Sequence, residues 1–206
     1  MGPLGADTAG LIWVHPSDSA GLAAILVDHP DIGWVQLPWA GVDAFAPVLA
    51  AHADRIARVL LIGPAHFVRL TGCAVSTVDK WATPLGEAPL DAIGRNTLVE
   101  AGVATANDAP HEPEHSLEVQ GPVLQAVLTP GTPILPVVAG PTPADAVADL
   151  LAAGIRRPGT VLLCSTDLSH YHPDAQAREQ DAGTIRAVTE RAPDRIGVRD
   201  ACGVFG

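Results

Sequence analysis

Short apolar stretches alternating with longer, alanine-rich ones constrain this chain more than any other feature of its sequence. Apolar runs at 11–14, 34–37, 59–62, 73–78, 134–138 and 161–165 have the length of strands. Several of them are apolar throughout, as strands buried on both faces of a sheet are. Between them, stretches at 17–28, 43–53, 90–101, 116–128, 143–153 and 174–191 have the length and composition of helices. This alternation predicts an α/β fold with a largely parallel or mixed central sheet flanked by helices. Gly102 and Gly154 stand where helix stops are expected. The polar stretch at 105–113 predicts a loop and 129–133 a turn. Apolar segments resume at once beyond each, so residues 1–206 read as a single domain.

The charge balance narrows the function. A net charge of −11, with 12 scattered Lys and Arg residues, argues against a sequence-independent nucleic-acid binder, which needs a basic face. No apolar run reaches the roughly 18 residues of a membrane span. The opening Met1-Gly2-Pro3-Leu4-Gly5 lacks a basic and apolar leader, so a cytoplasmic location is expected. Cys73, Cys164 and Cys202 are too few for a disulfide framework and read as reduced thiols. The chain contains no G-x-G-x-x-G and no P-loop string, so no nucleotide cofactor is expected.

The residues capable of chemistry fall mainly at strand exits, where α/β sheets bind ligands. Leu61-Ile62-Gly63-Pro64-Ala65-His66 is a strand running into a Gly-Pro turn, and Pro64 ends the ladder because it has no N–H. Read alone, His66 is a surface histidine or a ligand held on that exit. His111-Glu112-Pro113-Glu114-His115 spells the H-E-x-x-H zinc-protease string. That string works only on a continuous helix, which Pro113 prevents. Pro113 is instead expected to open a helix, with His115 and Glu118 near its first turns. Ser165-Thr166-Asp167-Leu168-Ser169-His170-Tyr171-His172 is the most polar strand exit. Asp167 and His170 can converge on one ion or one proton, or Asp167 can simply cap a helix. His172, before Pro173, reads as a surface residue. Cys202 is core filler or a ligand.

Five strings, in order over roughly residues 55–203, resemble the Memo family, known also as protein B of the AmmeMemoRadiSam system. They are Gly63-Pro64-Ala65-His66; Thr83-Pro84-Leu85-Gly86 with Asp91; Glu114-His115-Ser116-Leu117-Glu118-Val119-Gln120; Ser165-Thr166-Asp167-Leu168-Ser169-His170-Tyr171; and Ala201-Cys202-Gly203. The resemblance implies a fold similar to class III extradiol dioxygenases and a pocket in which two histidines and a cysteine hold iron or copper. His66 matches the second histidine and Cys202 the cysteine, while Trp39 stands where the first histidine should be. His115, Asp167 and His170 match the family's other pocket residues and would be the catalytic groups. Residues 1–50 diverge from the family, and the resemblance implies truncation at both ends. Residues 30–45 resemble the N-terminal part of D-2-hydroxyacid dehydrogenases, an activity rejected here because the dinucleotide fingerprint is missing.

Two functions are therefore expected to compete. One is a metal-binding, redox-active or dioxygenase-like protein, for which imidazole and carboxylate suit iron and thiolate suits copper. Imidazole would move the protons in such an enzyme. Losing a ligand to Trp39 weakens this reading, because an indole offers only an N–H donor. The other is a non-catalytic protein that binds a small molecule or peptide in the same pocket.

Overall fold

The computed structural model describes residues 10–12, 18–30, 32, 34–36 and 45–204, with the main chain alone for 10–12 and 34–36. Its centre is built from the most apolar runs of the sequence. Strands β3 (Arg58–Pro64), β8 (Ile134–Ala139) and β9 (Thr160–Cys164) run parallel, with β3 in the middle. On the far side of β8 lie β4 (Cys73–Val75), antiparallel to it, and then β7 (Thr105–Ala106). The five-stranded order is thus β7-β4-β8-β3-β9. A separate parallel pair, β1 (Gly10–Ile12) and β2 (Trp34–Gln36), runs beside β9. The mixed central sheet matches the expectation from the alternating pattern.

Side chains alternate across a strand, so β3 supplies both cores. Val59 and Leu61 join one cluster with Leu22, Phe45, Leu117 and Leu124. Those residues come from or flank α1 (Ser19–Asp28), α2 (Ala46–Ala51), α4 (His115–Glu118) and α5 (Gln120–Val127). Leu60 and Ile62 point the other way and meet Leu98 of α3 (Ala92–Glu100) and Leu150 of α6 (Ala144–Gly154). A long helix, α7 (Asp174–Thr189), follows β9. Among the described residues no helix is long and apolar enough to cross a membrane.

Several elements differ from the sequence pattern, each for a local reason. The 116–128 helix is broken at Val119 into α4 and α5. Pro122 lacks the N–H that would bond the Glu118 carbonyl, and its ring crowds that carbonyl. The 73–78 strand stops at Val75, because the next two residues turn to bind Asp108: the Ser76 hydroxyl and the Thr77 N–H each donate to Oδ1 at 2.7 Å. The 105–113 loop includes the short strand β7. A hairpin, β5 (Lys80–Thr83) with β6 (Gly86–Pro89), was not visible in the apolar pattern, and Thr83-Pro84-Leu85-Gly86 forms its turn. Gly154 lies within the last turn of α6, where its role is close approach: a Cβ there would come within 2.6 Å of Leu60 Cδ2.

Candidate functional site

Gly63 determines where the site forms. A side chain at this position would meet Leu117 Cδ2 at 2.8 Å and Ser116 Oγ at 3.0 Å. Its absence lets the start of α4 lie directly on the end of β3. There Glu114, at the N-cap of α4, is 3% exposed and faces the chain leaving β3. Its carboxylate accepts the His66 main-chain N–H at 2.7 Å and the Ser116 N–H at 3.0 Å, and it lies 2.9 Å from His66 Nδ1. Burial alone would raise the Glu114 pKa, but these hydrogen bonds from His66 and Ser116 outweigh it and hold the group below its ordinary range. An ionised Glu114 only accepts hydrogen bonds, so His66 Nδ1 carries a proton towards it, and in the neutral ring Nε2 is the acceptor. His115 stacks on His66 with ring centroids 5.7 Å apart and planes at 25°. Its own Nδ1 is 3.9 Å from Glu114 Oε1.

A second group forms beyond β9. Asp167 and Cys202 hold each other through the main chain: the Cys202 N–H donates to Asp167 O at 2.9 Å, and the Asp167 N–H donates to Cys202 Sγ at 3.0 Å. The Thr166 hydroxyl donates to Cys202 O at 2.8 Å. Asp167 is exposed, and among the described residues its carboxylate has no hydrogen-bond partner. It does not cap a helix, since α7 begins at Asp174 behind Pro173. His170 is also exposed; its Nδ1 lies 2.9 Å from its own loop's Leu168 O. His172 lies on the surface.

The two groups share one rim, at the carboxyl ends of neighbouring strands β3 and β9. The Ser165 hydroxyl donates to Ser116 O at 2.7 Å, and the Ser116 hydroxyl donates to Pro64 O at 3.3 Å. A Cβ on Gly203 would lie 3.2 Å from Pro64 Cβ, so the Cys202 segment rests on the strand that delivers His66. Behind Glu114 lies a cavity of about 410 Å³ whose walls include Trp81, Asp108, His111 and Glu118. Cys202 lines a different, largely apolar cleft of about 670 Å³ against α6. In the sequence Glu114 stands within a motif that gives it no role of its own. The only hint was a glutamate immediately ahead of a predicted helix start, which is equally the pattern of a solvated first turn. His111 was also passed over. It sits in a turn outside α4, 3.3 Å from Ala74 O through Nε2, and burial lowers its pKa against the opposing effects of Ala74, Asp108 and Glu114.

A family model described as Memo-like protein matches residues 22–197. The chain belongs to the Memo family. It is 32% identical over 170 residues to a MEMO1 family protein of Methanopyrus kandleri, covering 75% of this chain and 59% of that one. It is 32% identical over 185 residues to one of Methanothermobacter thermautotrophicus, covering 84% of this chain and 63% of the relative. One of Methanobrevibacter smithii is 34% identical over 168 residues, covering 75% and 58% respectively. The chain thus spans between half and two thirds of the length of these curated Memo relatives.

The donors expected for a Memo-type metal fall on one rim only in part. His66 offers Nε2 and Cys202 its sulfur, while Trp39 lies outside the described residues. Among the described residues, no group of three or more His, Cys, Asp or Glu side chains is placed to hold an ion. The described residues alone therefore do not make a three-ligand metal centre. Asp91, part of the second motif, caps α3 and is ion-paired with Arg157 at 2.6 Å, a structural role remote from the rim.

Proposed function

We propose that this Memo-family chain binds a small molecule at the rim, with His66 as the group that receives it. The observation that carries this reading is the pairing of His66 with Glu114. A buried carboxylate takes the Nδ1 proton in a hydrogen bond and orients the ring, so that the neutral ring presents Nε2 as its acceptor, the arrangement used wherever an imidazole must be oriented and kept in one tautomer. His115 stacks on His66, and Asp167 and His170 lie on the loop after β9; all three would contact the ligand.

A titration series of neutral amides, alcohols and heterocycles, read on the isotope-labelled ring resonances of His66, tests it. At least one class is expected to shift His66 Cε1–H saturably, with the response lost in His66→Ala. A flat response across the series sinks the proposal.

A second reading is favoured by the presence of an imidazole nitrogen and a thiol on one rim. In it His66 and Cys202 are two ligands of an iron or copper ion supporting redox or dioxygenase-like chemistry, and a third donor completes the set. Metal analysis after anaerobic reconstitution with iron or copper decides between the two. Stoichiometric metal that disappears in both His66→Ala and Cys202→Ala favours the second reading.

A further inference from the structure

The geometry points to Phe67 as a specificity-determining residue of the proposed site. With His66 and His115 it forms a lip of three rings that selects a flat, unsaturated ring over a saturated one of the same size. This inference rests on the small-molecule reading above and names the ligand class. Phe67 follows His66 directly and is 60% exposed, and it belongs to neither hydrophobic core. Its neighbours are the two imidazoles. Its centroid lies 5.4 Å from that of His115 at 59° and 6.3 Å from that of His66 at 69°.

With the 5.7 Å stack between the histidines, every pair in the trio is within the separation at which aromatic rings attract. One pair is stacked, one tilted and one edge-on, and each such arrangement matches the positive rim or offset face of one ring to the negative face of another, so a further flat ring extends the cluster where an aliphatic ring does not. The rings also remain open to solvent: the His115 side chain is 63% and that of His66 35% exposed. Val119, one turn beyond His115, is exposed as well. The trio stands on open surface beside Glu114, which borders the cavity behind it, so the lip acts through ring contact and not through enclosure.

The test uses the whole chain with labelled histidine and phenylalanine rings, titrated separately with benzamide and with cyclohexanecarboxamide. Both probes are neutral, carry the same hydrogen-bonding group and differ only in the ring. Both are expected to shift His66, with benzamide binding about three- to tenfold more tightly. Phe67→Leu should abolish that preference and Phe67→Trp should retain it; a surface position tolerates either change. Equal affinities in the wild type, or an undiminished preference in Phe67→Leu, overturn the lip while leaving the site intact. If neither amide moves any ring of the trio while another class in the series shifts His66, the lip fails alone. If nothing moves His66, both fail.

Discussion

The two halves of the rim are held in opposite ways. On the β3 side, His66 is fixed by a buried carboxylate that it meets across 48 positions of sequence, and that carboxylate also takes two main-chain N–H groups. On the β9 side, Asp167 and Cys202 hold each other through main-chain atoms and one sulfur, and their polar side chains face solvent or a cleft. The first half is preorganised because removing any member strands a buried charge or donor. The second is a clasp of main-chain atoms and the Cys202 sulfur, in which the Asp167 carboxylate has no partner among the described residues and is open to a ligand. Orientation is therefore supplied by β3 and α4, and adaptability by the loop after β9.

The sharpest way to break this contrast is Glu114→Ala. It leaves two main-chain donors and an imidazole without their acceptor, and should cost about 3 kcal/mol of stability in urea unfolding. A cost under about 0.5 kcal/mol, the range of ordinary surface changes, would contradict the preorganised half. Gly63→Ala tests the same half through shape. The added methyl meets Leu117 and Ser116 and should cost about 2 kcal/mol as an overpacked contact. It should also move the His66 N–H resonance, which reports the distance to Glu114.

Acid should loosen the β3 side in two stages. The His111 pKa is depressed by burial, so its neutral form stabilises the fold fully above its ordinary 6.5, and that contribution fades as pH falls through the depressed value. Glu114 is likewise depressed, so its contribution is complete above its ordinary 4.5 and is lost as pH falls through the depressed value. Protection of the His66 and Ser116 amides, taken relative to the intrinsic exchange rate at each pH, should fall over the lower window while that of Cys202 changes less. The smallest effect belongs to the β9 side. Asp167→Asn should change stability by no more than about 0.5 kcal/mol, because only the main chain of Asp167 is engaged. A thiol reagent at neutral pH should label Cys202 first. Burial raises the Cys73 thiol and pushes that of Cys164 up to about 12, which keeps both protonated. Faster labelling of Cys164 than of Cys202 would reverse that order.

Much of the scaffold was legible because its strands are apolar on both faces. The runs at 59–62, 134–138 and 161–165 correspond to β3, β8 and β9 within one or two residues. The β5–β6 hairpin escaped notice because only Ala88 of its eight residues is fully buried, so no apolar run marks either strand. The site was legible in its residue types and its strand exits but not in its partnerships. His66 and His115 were both singled out, yet nothing near either in sequence indicates that their rings stack. The H-E-x-x-H string was correctly set aside, since His111 sits in a turn and the helix begins at His115.

By itself, then, the sequence determined the central strands, the helical layers and membership of the Memo family. Those depend on local burial patterns and short motifs that each segment carries within itself. Tertiary structure alone decided that Glu114 is the partner of His66 and that Asp167 pairs with Cys202 through the main chain. It also decided that the rim has one rigid and one open half. These outcomes depend on how closely α4 approaches β3, which a missing Cβ at Gly63 permits, and on the segment that lies against Pro64. Distances between segments far apart in the chain are fixed only when the core closes.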